Sequence, residues 1–140
     1  QDLTEEMLEQ VRLLSNLETD NRKLLQIVLL GQPELRERLN SPRLRQLRQR
    51  ITVRYHLLPL NREEVRHYVR HRLHCSGANG HPAFSGPAMW RVYRYSQGIP
   101  RLVNAVCDKA LLAGFVQQQP QISFRIVGQA IRELEGRSGV

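Results

Sequence analysis

Three sets of residues in this chain have the type and spacing to do chemistry. Gly98-Ile99-Pro100-Arg101 places an arginine in the first turn of a helix that Pro100 opens. Residues 43–50, Arg-Leu-Arg-Gln-Leu-Arg-Gln-Arg, hold four arginines that run straight into an alternating apolar stretch. Gln32 stands directly after a short apolar run, where an uncharged hydrogen-bonding side chain at a strand's carboxyl end suits ligand binding in α/β sheets. An ordinary turn residue before Pro33 is the plain alternative for that position. The guanidinium groups suit planar, bidentate contacts to phosphate or carboxylate. An arginine at a helix start opposes the helix dipole by about 0.3–1 kcal/mol, which a bound anion would offset. A further cluster, His67, His71, His74 and Cys75, has spacing that can bind zinc or nickel. It lies on one helix opposite the apolar face Val65, Tyr68, Val69 and Leu73, so it reads as a solvated stripe and no metal site is assigned.

The elements that position these residues follow from periodicity and caps. Asp2 with Glu5 reads as a helix N-cap with its return carboxylate, and Leu3, Met7, Leu8, Val11, Leu14 and Leu17 keep helical spacing until Asp20-Asn21. Residues 24–30 form a nearly continuous apolar run, the pattern of a strand buried on both faces. A short helix over residues 33–39 follows, then Ser41-Pro42 opens the arginine-bearing helix, and residues 51–57 alternate as a second strand. Beyond Pro59 the chain reads as helical only. Asn61 with Glu64 caps a helix through Leu73, Ser85 one through Tyr95, Pro100 one to about Val116, and Ser123 one through Glu135. The fold class is therefore α+β and mostly α, residues 1–58 forming the remnant of a parallel α/β unit and residues 59–136 a helical bundle, with a tail at 137–140. Cys107 reads as a small core residue, and Trp90, Tyr93 and Tyr95 as helix packing.

The chain has 140 residues, 41% of them hydrophobic, with a formal charge of +8 that arises from 19 Arg and 2 Lys against 13 acids. Mean hydropathy is −0.45. No apolar run approaches the ~18–20 residues of a membrane span, and the polar, acidic start is neither a signal nor a transit peptide. The absence of an initiator Met suggests a piece excised from a longer protein. Two cysteines make no disulfide framework, and reduced thiols are expected. The basic balance raises nucleic acid, acidic lipid and phosphate ligands as partners.

The order of elements, together with Val11-Arg-Leu-Leu-Ser-Asn-Leu-Glu18-Thr, Gly31-Gln-Pro-Glu-Leu35, Leu47-Arg-Gln-Arg50 and Gly98-Ile-Pro-Arg-Leu-Val-Asn104, resembles the C-terminal portion of AAA+ ATPases of the general secretion pathway protein A type. That group includes relatives that build mannose-sensitive haemagglutinin pili. No Gly-x-x-x-x-Gly-Lys-Ser/Thr loop occurs in the chain. In the group the acidic Walker B pair lies just before a segment like Gln1-Asp2-Leu3, so this chain starts after both motifs and is expected to be inactive alone.

The resemblance implies an α/β nucleotide-binding base through residue 58 and a helical lid at 59–136. It implies Gln32 as sensor 1, Arg50 as an arginine finger acting on a neighbouring subunit, with Arg48 as runner-up, and Arg101 as sensor 2. ATP and Mg²⁺ are implied for the intact protein, with no cofactor expected on this chain by itself. The implied partners are further copies of the protein in a ring or other oligomer, and envelope secretion or pilus-assembly proteins. The implied location is the cytoplasmic face of the bacterial inner membrane, with a membrane anchor elsewhere in the parent. The alternative is a DNA-associated AAA+ ATPase of the transposition or replication type, or a basic DNA-binding module. Few base-reading side chains on the helix after Gly98 weigh against it.

Overall fold

Thr4, rather than Asp2, caps the first helix, α1 (Glu5–Leu14), its Oγ1 accepting from the Met7 N–H at 3.2 Å. The structure, a computed structural model, describes residues 2–16, 18 and 19, 22 and 23, and 25–136. The sequence expectations at Leu17, Asp20, Asn21, Leu24 and the tail at 137–140 therefore lie outside the described residues. The chain divides into two units, Gln1–His56 and Leu57–Val140. It is α+β and mostly α, as the sequence indicates.

In the first unit α1 is followed by two-residue strands β1 (Glu18–Thr19) and β2 (Arg22–Lys23), antiparallel, with Glu18 opposite Lys23. Next come α2 (Pro33–Leu39), a 3₁₀ turn (Pro42–Leu44) and α3 (Arg45–Arg50). Both proline-led starts arise where a missing N–H costs nothing, at the first helical position. Leu8, Leu35, Leu44 and Leu47 form a small buried core, with Val11, Leu29 and Leu39 packed against it.

The two buried strands expected at residues 24–30 and 51–57 are not formed. Residues 25–30 and 51–57 have no regular structure, and Val28, Leu30, Val53, Tyr55 and Leu57 are exposed, Leu30 by 84%. A strand buried on both faces needs a neighbour for its backbone N–H and C=O groups and a helix over each face. Among the described residues neither segment has a ladder partner, and most of their apolar side chains are exposed, while Leu29 packs on the small core.

The second unit holds α4 (Arg62–Cys75), α5 (Gly86–Ser96), α6 (Pro100–Val116) and α7 (Phe124–Leu134). Three of the four starts carry the side-chain caps expected from sequence. Asn61 and Glu64 make a reciprocal capping box at 3.0 and 2.8 Å, while Ser85 and Ser123 accept from Ala88 and Ile126. A Ser or Asn cap is worth about 1 kcal/mol, so these helices start where local chemistry dictates.

A short parallel pair, β3 (Ala83–Phe84) with β4 (Gln121–Ile122), leads into the two serine caps and lays the starts of α5 and α7 side by side. The core joins Val65 and Val69 of α4, Ala88 and Val92 of α5, Val103, Val106, Cys107 and Ala110 of α6, and Ile126, Val127 and Ala130 of α7. Between α5 and α7 the Arg91 guanidinium lies 4.2 Å from the Phe124 ring centroid and donates to the Phe124 carbonyl at 3.2 Å. Trp90 stacks on the same ring at 6.5 Å. Gly128 leaves the room for Arg91, since a Cβ there would fall 2.4 Å from its Nη1. Among the described residues no helix is long and apolar enough to cross a membrane.

Burial pushes the Cys107 thiol up to about 12 from 9.0, with the Asp108 charge adding to the effect. Above pH 9 the unfolded chain releases this proton while the folded chain keeps it. Stability therefore falls as pH rises from about 9 to about 12. A Cys107→Ala variant should show a flatter decline of melting temperature over that range. In the native chain a thiol reagent should modify exposed Cys75 quickly and buried Cys107 only on unfolding.

Candidate functional site

Arg101 owes its position to a backbone reversal that begins in α5. Gln97 takes a left-handed conformation at φ 50° and its N–H donates to the Tyr93 carbonyl at 2.9 Å. Gly98 follows at φ +76°. Its N–H donates to Oγ of the buried Ser96 at 3.3 Å, and its carbonyl accepts from the Leu60 N–H at 2.9 Å. A Cβ on Gly98 would sit 1.9 Å from the Leu60 carbonyl oxygen, so only glycine permits this approach. The reversal thus ties the segment before α4 to the start of α6.

Ile99 is the N-cap of α6 and supplies only its carbonyl, which accepts from Leu102 and Val103, each at 3.0 Å. Pro100 and Arg101 are the first two helical residues. Arg101 is exposed and has no hydrogen-bond or ion-pair partner among the described residues, leaving a cation at the positive end of a 17-residue helix. One turn on, Asn104 Oδ1 accepts from the Tyr68 hydroxyl at 3.1 Å, and the Tyr68 hydroxyl oxygen accepts from Arg72 Nη1 at 3.3 Å. The Arg72 hydrogen bond, with that of Asn104, lowers the Tyr68 phenol below its usual value.

In the other unit Gln32 is the exposed N-cap of α2, its carbonyl accepting from the Leu35 N–H at 2.9 Å. Arg50 ends α3, exposed, and its Nη1 donates to the carbonyl of Ser15, the C-cap of α1, at 3.2 Å. Arg48 is half-buried, with Nη1 3.4 Å from Asn40 Oδ1, and its carbonyl accepts from Arg54 Nη2 at 2.8 Å. Arg38 donates to the Leu3 carbonyl, and exposed Arg43 lies 3.6 Å from Glu5. These arginines therefore do not gather in one cluster, and Arg38, Arg43 and Arg50 each reach α1 or a residue flanking it.

Gln32, Arg48 and Arg50 belong to one unit and Arg101 to the other. Among the described residues no three His, Cys, Asp or Glu side chains converge as metal ligands. The Ser96 hydroxyl, which fixes the Gly98 reversal, carried no recognisable sequence signal, being one serine among several at helix ends.

An AAA domain family model matches residues 1–39. Over 93% of its length the chain is 52% identical to general secretion pathway protein A of Aeromonas hydrophila. The chain is thus similar to an AAA domain over its first 39 residues and to general secretion pathway protein A over nearly its whole length. It spans about a quarter, 24%, of the length of that curated relative. No solved structure matches it significantly. The family-model match ends with α2, so Gln32 falls within it and Arg48, Arg50 and Arg101 beyond it.

Proposed function

We propose that this chain is the C-terminal part of an ATP-hydrolysing AAA protein whose nucleotide-driven movements assist assembly of a bacterial secretion or pilus apparatus. The observation that carries the reading is the 52% identity to general secretion pathway protein A. Residues 1–58 are then the end of the nucleotide-binding base, residues 59–136 the lid, and 137–140 a tail. The apolar segments 25–30 and 51–57, which have no regular structure here, become strands where the intact protein supplies ladder partners. In the intact protein ATP with Mg²⁺ supplies the phosphoanhydride that is cleaved. The guanidinium and amide groups of this chain suit phosphate oxygens, while no converging carboxylates among its described residues suit the metal.

Within that reading Arg101 binds the phosphates of its own subunit's nucleotide, and its exposed, unpartnered guanidinium supports the role. Gln32 orients the attacking water from the carboxyl end of the segment 25–30. Arg50 reaches the nucleotide of a neighbouring copy. Its exposed place at the end of α3 favours it over Arg48, which is half-buried against Asn40. The partners are further copies of the protein and envelope assembly proteins at the cytoplasmic face of the inner membrane. The DNA-associated alternative draws on the +8 charge. It is disfavoured because α6 is the central core helix, with Asp108, Leu112, Phe115 and Val116 among its exposed side chains.

The test is ATP affinity of the intact protein carrying Arg101→Ala. Loss of a hydrogen bond to a charged group costs about 1.5–3 kcal/mol, so binding should weaken by about 10–100-fold. Arg101 has no hydrogen-bond or ion-pair partner among the described residues and opposes the dipole of α6, so the melting temperature should not fall. Unaltered affinity for ATP would remove Arg101 from the nucleotide site.

A further inference from the structure

The face of α4 away from the core carries His67, His71, His74 and Cys75, all exposed. His71 and Cys75 are one turn apart at i and i+4, so their side chains meet along the helix surface. His71 Nε2 lies 3.5 Å from Cys75 Sγ. A tetrahedral zinc ion with bonds of about 2.3 Å to sulfur and about 2.0–2.1 Å to nitrogen sets those ligand atoms about 3.6 Å apart. The pair therefore already has the bite of two zinc ligands, without any change in the helix.

Two surroundings favour a cation at this place. The pair occupies the last turn of α4 (Arg62–Cys75), where the helix dipole is negative. Arg72, which follows His71 in the chain, is directed onto Tyr68, with Nη1 3.3 Å from the hydroxyl and the guanidinium carbon 6.0 Å from the ring centroid.

We propose that His71 and Cys75 form a surface chelate for a thiophilic divalent cation, zinc above all, on the helical unit. Imidazole and thiolate are the ligand types that borderline-soft zinc prefers. On binding, the Cys75 thiol releases its proton to solvent and its sulfur gives one electron pair to the metal. The Nε2 lone pair of neutral His71 gives the second, with the ring proton held on Nδ1. Two waters retain the remaining tetrahedral positions, because no third His, Cys, Asp or Glu converges among the described residues.

Titration of the reduced full chain with Co²⁺, followed by displacement with Zn²⁺, tests the site. One cobalt ion per chain should bind with a thiolate-to-cobalt charge-transfer band in the near ultraviolet, and zinc should abolish that band. Cys75→Ser and His71→Ala should each remove both the band and measurable zinc binding. His67→Ala and His74→Ala should retain them. All four positions are exposed, so the metal-free melting temperature should be equal across the series. Absence of the band overturns the site. So does zinc affinity that survives in Cys75→Ser, since the histidines alone would then hold the metal. Dependence on His67, or one metal shared by two chains, overturns it as well.

Discussion

Replacing Gly98 by Ala should cost the helical unit about 2–5 kcal/mol and lower its melting temperature by about 10–30 °C. Two separate costs add. The backbone stands at φ +76°, where an L side chain costs about 1–2 kcal/mol. The new methyl would also lie 1.9 Å from the Leu60 carbonyl oxygen and 2.8 Å from its carbon. Those are backbone atoms, so the Leu60–Gly98 hydrogen bond must break or the segment before α4 must move, at about 1–3 kcal/mol. A domain of this size has about 4–12 kcal/mol to lose. Gly77→Ala is the control. Its φ is +83° but nothing lies within 4 Å of the added carbon, so it should show only the conformational cost. The sole tryptophan, Trp90, lies in this unit, so its fluorescence follows the transition. Equal melting of the two variants would mean that the close approach of Gly98 to Leu60 contributes nothing.

Arg50→Ala in the intact protein should slow ATP turnover by about 10³–10⁵-fold while leaving ATP binding in place. The guanidinium stabilises charge that develops on the transferred phosphoryl group, so its loss is felt in the transition state rather than in the ground state. Arg50 also donates to the Ser15 carbonyl, and loss of that bond costs about 1 kcal/mol of local stability. A small drop in melting temperature therefore accompanies the kinetic defect but cannot produce it. Mixing the variant with subunits disabled in their own phosphate loop should partly restore turnover, because each supplies what the other lacks. Arg48→Ala should retain most activity. A collapse in Arg48→Ala with Arg50→Ala unaffected would move the role two residues upstream.

What the sequence made legible was what local chemistry decides. The Asn61–Glu64 capping box, the serine caps at 85 and 123 and the proline start at 100 each depend on residues within one turn, and each helix forms where its cap sits. The first cap shows the limit of that logic, since Thr4 and Asp2 are both competent and the helix starts from the nearer. Strands are different. Residues 25–30 and 51–57 have the apolar pattern of buried strands, yet a strand exists only beside another strand, and no pattern within the segment reveals whether one is there. The parallel pair of β3 and β4 leaves no trace in the sequence for the opposite reason, since each strand is two residues long and its partners lie 38 positions apart, with no periodicity to read.

For the candidate site, residue types and helix positions were readable, including Arg101 in the first turn of α6. The partners were not. That Arg50 reaches the end of α1, that Arg48 leans on Asn40, and that Gly98 backs onto Leu60 are contacts across 35, 8 and 38 positions. Such contacts follow from packing, which the order of residues does not display.

The most direct test of the account is ATP binding and turnover by the wild-type protein extended to the full length of its relative. The account predicts that it binds ATP and hydrolyses it in the presence of Mg²⁺. A well-folded full-length protein that neither binds nor hydrolyses ATP would contradict it, and the roles given to Gln32, Arg50 and Arg101 would fall together.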